Sequence, residues 1–143
     1  MTTYQALDTT VDAVDALIDD HYAAEIDGDL SRLLETFADD VEHDVVGSPG
    51  VSSGKDQVEA FYRGLLADLR LEEIRSVRRY HGDGFVVDEA AVTARAIGSP
   101  FGIPGRGRTV RFRLLHVFEV RDDEITRENA WIDTAAVVAQ LSQ

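Results

Sequence analysis

His116 is the residue best placed to do chemistry, because it interrupts an apolar face of a long predicted strand. In a strand over 109–120, alternate side chains point to the same face. The residues that share the face of His116 are Val110, Phe112, Leu114, Phe118 and Val120. Burying an imidazole without a partner costs about 1–3 kcal/mol. His116 is therefore predicted to be either a hydrogen-bonded core histidine or part of a partly wet cavity.

His43 repeats this pattern in a shorter alternating stretch, where it lies between Val41 and Val45. Two histidines on apolar strand faces favour a shared pocket with some polar lining. The sequence has no His-Glu-x-x-His motif, and two histidines without a defined third ligand are weak evidence for a metal. We therefore predict no metal and no cofactor.

Four helices are predicted around the strands. Apolar residues recur at steps of three and four from residue 9 to about residue 27, where Gly28 ends the helix. Asp29 is a suitable N-cap for a second helix over 30–37. A third helix is predicted over 55–69, and a short one over 135–141 closes the chain.

The rest of the chain is predicted to form a sheet. After a short strand around 41–45, the stretches 74–81, 85–97, 109–120 and 125–132 alternate or are β-branched, with turn residues between them. Helices followed by a four-stranded meander indicate an α+β fold with helices packed on one face of the sheet.

Length and composition indicate one domain over residues 1–143, with a core of ordinary size. The net charge of −13 argues against nucleic acid and anionic membranes as partners, because both require clustered basic residues. No apolar run approaches the roughly 18 residues of a membrane span, and a cytoplasmic location is the expectation. The chain has no cysteine, which excludes disulfides and thiolate chemistry.

Two sets of segments resemble a known group of proteins over roughly residues 10–141. The segments similar to ketosteroid isomerases are His21–Ala24, Gly28–Leu30, Phe37–Val41, Asp44–Ser48, Ser53–Gly54 and Glu59–Tyr62. The segments similar to SnoaL-like polyketide cyclases are Phe101–Pro104, Gly107–Arg108, Trp131–Asp133 and Gln140–Leu141.

This resemblance implies the fold shared with nuclear transport factor two. It is a cone-shaped, curved antiparallel sheet with three N-terminal helices packed on its concave side. The resemblance also implies a pocket for a hydrophobic small molecule and, in many members, a homodimer. It does not by itself imply one reaction, because the fold hosts isomerases, cyclases, dehydratases, epoxide hydrolases and binding proteins.

The resemblance assigns roles to particular positions. Asp44 matches the general base of the isomerases if one residue is deleted earlier in the strand; without that gap, Val45 takes the position. His116 falls where the isomerases place an oxyanion-binding acid and the cyclases a pocket histidine. His21 or Tyr22 lies at the position of the isomerases' oxyanion tyrosine.

One position departs from the cyclases. Their catalytic acid–base is an aspartate immediately before the closing-strand tryptophan, and here Ala130 precedes Trp131. An alanine can neither take nor give a proton. Glu128 lies two residues earlier on the same strand face and could substitute, or it could be an ordinary solvated or paired acid.

The leading hypothesis is an isomerase- or cyclase-type enzyme that moves a proton next to a carbonyl. Asp44 or His43 would be the base and His116 the donor, with Tyr22, Phe61, Tyr62 and Trp131 forming the wall or simply packing in the core. The alternatives are a non-catalytic binding or dimerisation domain, and a dehydratase or epoxide hydrolase. An enzyme predicts that these groups converge on one cavity, whereas a binder predicts histidines held by other partners.

Overall fold

A six-stranded sheet, curled but not closed, carries the helices on its inner face. The computed structural model describes residues 2–143, with side-chain surroundings from residue 11 onward. The elements are α1 (Thr2–Asp27), α2 (Leu30–Glu35), β1 (Phe37–Val45), β2 (Ser52–Ser53), α3 (Lys55–Asp68), β3 (Leu69–Gly82), β4 (Phe85–Ala96), a 3₁₀ turn (Pro100–Gly102), β5 (Arg108–Arg121), β6 (Glu124–Ile132) and α4 (Thr134–Leu141). The predicted α+β class is confirmed.

The sheet order is β2-β1-β6-β5-β4-β3. Strands β3 to β6 form the expected antiparallel meander, in which each strand pairs with the next along the chain. Strand β1 departs from the all-antiparallel expectation, because it pairs with β6 in parallel. Between β1 and β6 the chain forms β2, α3 and strands β3 to β5, and a connection of that length does not impose the antiparallel direction that a hairpin does.

Two of the element boundaries that differ from the predictions lie in the α2–β1 and α3–β3 segments. Helix α2 ends at Glu35, and Phe37 begins β1, because the Thr36 hydroxyl and backbone N–H both turn back to the carbonyl of Leu33. Strand β3 begins at Leu69, five residues before the predicted start at residue 74. Leu69 and Leu71 are buried on its inner face, where β4 pairs with this end of the strand.

The helix ends follow simple local chemistry. Gly28 adopts a φ of 68° directly after α1, a conformation that glycine accepts without a Cβ penalty. Asp29 then caps α2 by accepting a hydrogen bond from the backbone N–H of Arg32 at 3.1 Å. Asp133 caps α4 in the same way through the N–H of Ala136. These residues set where α1 ends and where α2 and α4 begin.

The apolar core has two parts that meet the inner face of the sheet. One packs α1, α2 and α3 against β1 and the ends of β5 and β6, with Ile18, Leu33, Phe37, Val41, Val58, Phe118 and Ile125 as its most buried members. The other packs α4 against β3, β4 and β5. Within residues 2–143, no helix combines the length and apolar character needed to cross a membrane.

Candidate active site

A cavity of about 710 Å³ opens between α3 and the inner face of the sheet. This volume lies in the range typical of small-molecule sites. Most of its wall is apolar and comes from Phe61, Leu65, Leu71, Val92, Phe112 and Leu114. One end is polar, and there the side chains are Glu25, His43, Tyr62, His116 and Glu128. The cavity therefore suits a hydrophobic ligand with one polar end.

Glu128 lies at the centre of the polar end, and its side chain is only 1% exposed. Its Oε1 is 3.2 Å from Nε2 of His116 and 3.3 Å from Nε2 of His21. Its Oε2 is 2.9 Å from Nε2 of His43 and accepts a 2.9 Å hydrogen bond from the Tyr62 hydroxyl. One buried carboxylate therefore gathers three of the four histidines in the chain.

These neighbours keep Glu128 ionised. Burial by itself raises the pKa of a carboxyl group, but the imidazoles of His43, His21 and His116 outweigh it and hold the pKa of Glu128 well below its usual range. The same buried charge acts on Tyr62. Burial of its ring, and then the charge of Glu128, raises the pKa of the Tyr62 phenol well above its usual value. Tyr62 therefore stays a hydrogen-bond donor.

The protons on His43 can be assigned from its partners. Because the Tyr62 hydroxyl donates to Glu128, its oxygen must accept from Nε2 of His43, 3.3 Å away. His43 thus carries hydrogen on Nε2, and its Nδ1 has no hydrogen-bond partner among the described side chains. His43 lines the polar end of the cavity.

His116 is fixed from behind by a second buried network. The Tyr22 hydroxyl donates to Oδ1 of Asp88 at 2.7 Å, so it can only accept from Nδ1 of His116 at 2.9 Å. Asp88 is fully buried, and its Oδ2 accepts hydrogen bonds from Ser76 at 2.7 Å and from Arg79 at 2.8 Å. The network orients the His116 ring with Nε2 toward Glu128 and the cavity.

His21 is buried behind the cavity rather than on its surface. The Thr36 hydroxyl donates to the Leu33 carbonyl, so its oxygen accepts from Nδ1 of His21 at 3.0 Å. Burial disfavours the charged ring, but the carboxylates of Glu128 and Glu25 outweigh this effect and raise the pKa of His21 to about 10. Without another cation present, His21 is thus an imidazolium at neutral pH.

Asp44 does not share the cavity with the histidines, which corrects the expectation that it acts there as base. It follows His43 directly in β1, so its side chain lies on the opposite face of the strand. Its Oδ2 accepts from Arg127 and Asn129, each at 3.3 Å. Of the two residues predicted as base, only His43 lines the cavity.

Trp131 also lies outside the cavity. It is 41% exposed on the outer face of β6, while its neighbours Ala130 and Ile132 line the cavity. Phe61 and Tyr62 are in the predicted wall, and Tyr22 lies behind His116. Glu128, the residue proposed to substitute for the missing acid at Ala130, is at the centre of the site as a paired acid.

Sequence reasoning missed two acidic residues, Glu25 and Asp88. Asp88 alternates with the buried Val86 and Ala90 on β4, so it is a charge on an apolar strand face. The same signal singled out His116. Glu25 lies one helical turn after His21, at a spacing that places both side chains on one face of α1.

Comparison with known proteins agrees with this architecture. The structure superimposes on a protein from Xanthomonas campestris pv. campestris assigned to the polyketide cyclases, with a TM-score of 0.81 and 24% identity over 91% of this chain and 97% of that one. An LEH-like epoxide hydrolase from M. tuberculosis superimposes with a TM-score of 0.72 and 18% identity, over 91% of this chain and 90% of that one. A Catenulispora acidiphila protein with a ketosteroid isomerase-like fold, in complex with trimethylamine, superimposes with a TM-score of 0.75 and 17% identity. The match covers 88% of this chain and 92% of that one.

At these identities the solved structures establish the fold alone. No curated protein matches the sequence. The model of the SnoaL-like polyketide cyclase family matches residues 6–141, which is nearly the whole chain. With the curled sheet, the cavity and the inward-facing His116 already described, this match shows that the chain belongs to the SnoaL-like polyketide cyclase family.

Proposed function

We propose that this protein is an enzyme that moves a proton at the carbon next to a carbonyl group of a hydrophobic small molecule. The observation that carries the proposal is the meeting of His43 and His116 on one buried carboxylate, Glu128, at the polar end of an apolar cavity. Membership of a family named for polyketide cyclases supports an isomerase- or cyclase-type reaction.

The proposed base is Nδ1 of His43. It takes the proton from the C–H bond next to the carbonyl, and the electron pair of that bond moves into the enolate. Tyr62 and Glu128 hold the opposite nitrogen and stabilise the imidazolium that forms, as a carboxylate does behind a catalytic histidine. In a conjugated enone the proton then returns from His43 to the far carbon of the dienolate. Alternatively, the enolate carbon attacks a second carbonyl to close a ring, and the alkoxide that forms takes the proton back from His43.

The proposed oxyanion donor is Nε2–H of His116. It lies 3.2 Å from Oε1 of Glu128, and His116 lines the cavity. Tyr22 and Asp88 hold the other nitrogen, so the ring is oriented before substrate binds. A carbonyl oxygen at the polar end would receive this hydrogen bond as negative charge develops.

The test is hydrogen–deuterium exchange at the α-carbon of cyclic enones and polyketide-like ketones, followed by NMR in D₂O containing chelator. Wild type is expected to exchange one position, and His43→Gln and His116→Gln to lower kcat/KM about 10²- to 10⁴-fold. His81→Gln is the matched control, since His81 pairs with Asp15 outside the cavity. Equal rates in wild type and both cavity variants would rule out the proposed reaction.

A second candidate is a binding protein without catalysis, and one observation favours it. All three inner histidines have carboxylate neighbours, which is the arrangement expected when imidazoles serve only to hold a polar pocket together. The same experiment distinguishes the two. A binder saturates with a hydrophobic ketone, measured by isothermal titration calorimetry, yet leaves the α-proton in place.

We also propose a homodimer through the outer face of the sheet. Trp131 and Leu115 are register partners there and are 41% and 39% exposed. Covering adjacent apolar side chains of this size favours association. In light scattering, Trp131→Arg is expected to give a monomer and the control Tyr80→Arg, on β3, to remain a dimer. A monomeric wild type, or a dimer in both variants, would contradict this interface.

A further inference from the structure

His21, Glu25 and Glu128 form a cluster that the proposed reaction does not use as a unit. Each offers one ligand atom, the three atoms all lie within 4.8 Å of one another, and all three residues are buried. His21 and Glu25 come from one face of α1, and Glu128 comes from β6 across the core. The tertiary structure therefore builds a compact group of one imidazole and two carboxylates.

The spacing of these atoms matches a coordinated ion. Nε2 of His21 is 3.3 Å from Oε1 of Glu25 and 3.3 Å from Oε1 of Glu128. A tetrahedral zinc ion with bonds of about 2.1 Å holds neighbouring ligand atoms about 3.4 Å apart. The two measured distances are thus close to those that bound zinc would require, so only small side-chain shifts would be needed.

Nε2 of His21 is a buried nitrogen without a satisfied hydrogen bond. It is directed between the two carboxylates but aligned with neither, and it has no hydrogen-bond partner among the described residues. Such an atom in a fully buried side chain is uncommon and calls for an explanation. A metal ion between the imidazole and the two carboxylates would give the nitrogen a partner.

The surroundings prepare His21 to be a ligand. Nδ1 donates to Thr36, which leaves the lone pair of a neutral ring on Nε2, directed at the carboxylates. A hydrogen bond from the second ring nitrogen to a fixed acceptor is a regular feature of metal-bound histidines. The second oxygen of Glu128 is likewise held, by the Tyr62 hydroxyl.

We infer that His21, Glu25 and Glu128 bind a divalent transition-metal ion of the zinc class. One imidazole and two carboxylates suit zinc, manganese or iron better than magnesium, which prefers oxygen ligands and retains its waters. Glu25 and Glu128 line the cavity, so the fourth position of the ion would face a bound ligand. This site goes beyond the proposed reaction, whose donor and base are His116 and His43.

Isothermal titration calorimetry on chelator-stripped protein tests the inference, with Zn²⁺, Mn²⁺ and Mg²⁺ as the titrants. We expect one Zn²⁺ or Mn²⁺ per chain in wild type and little heat with Mg²⁺. Glu25→Gln and His21→Gln are expected to weaken binding about 100-fold or more, on the scale seen when metal-site residues are changed. Visible absorption of the Co²⁺-loaded protein reports four-coordination independently.

The acidic surface makes a control essential, because a chain of net charge −13 attracts cations without a specific site. His81→Gln removes an imidazole outside the cavity and should bind the ion as wild type does. Circular dichroism checks that Glu25→Gln is folded. Absence of stoichiometric binding in wild type, or binding that survives both Glu25→Gln and His21→Gln, would overturn the inference. Since the exchange assay runs in chelator, either result leaves the proposed reaction to be judged separately.

Discussion

Replacing Glu128 by glutamine is expected to lower the free energy of unfolding by about 3–5 kcal/mol, the scale for removing one partner of a buried ion pair. The shape of the side chain is retained, but the charge that faces His21, His43 and His116 is lost. The imidazolium of His21 then keeps only Glu25 as a counter-charge. Proton transfer should also fall at least 10²-fold, because His43 loses the group that stabilises its charged form.

The measurement is urea unfolding in chelator, so that bound ions do not contribute to stability. Glu42→Gln is the matched control, since Glu42 pairs with Arg127 on the exposed face of β1. Its cost should stay below about 1 kcal/mol, as for surface ion pairs. If the two variants unfold at the same urea concentration with equal slopes, Glu128 is not the electrostatic centre of the site.

Replacing Arg79 by methionine is also expected to lower the free energy of unfolding by about 3–5 kcal/mol. Asp88 is fully buried, and Arg79 is the cation that hydrogen-bonds to it, at 2.8 Å. The same guanidinium reaches Asp15 and Asp19 on α1 and so ties that helix to β3. Burial opposes the charge of Arg79, but these carboxylates outweigh it and raise the pKa of the guanidinium.

A double variant separates the buried charge from the loss of packing. In Arg79→Met/Asp88→Asn neither charge remains, so the double variant should be more stable than Arg79→Met alone. With the two single variants, it gives the coupling free energy between Arg79 and Asp88. Arg121→Met is the control, because its partner Asp40 is exposed. Thermal unfolding would show a drop of about 2–4 °C for each kcal/mol lost. A double variant no more stable than Arg79→Met would contradict the account of Asp88 as a buried, compensated charge.

The two networks have different consequences for catalysis. Glu128 contacts the proposed base and the proposed donor directly, whereas Asp88 acts on His116 only through Tyr22. Asp88 is therefore a positioning residue. Its loss should change the rate through the orientation of His116 and leave the basic nitrogen of His43 in place.

The sequence by itself determined the elements and, for many residues, the face on which they lie. Alternation with a period of two is a local property, so His116 and His43 could be placed on inward faces before any pairing was known. The same rule already separates Asp44 from His43 and Trp131 from Glu128. Each of these pairs differs by an odd number of residues along one strand, so they occupy opposite faces.

Only the tertiary structure decided which of these residues meet. His21, His43, Tyr62 and His116 come from α1, β1, α3 and β5, and they reach one carboxylate on β6 because of strand order, parallel β1–β6 pairing and the docking of two helices. The periodicity of the sequence shows which face of an element a side chain occupies, but not which residues of other elements it contacts across the core. The charge state of the site therefore follows from long-range packing, which no local pattern in the sequence specifies.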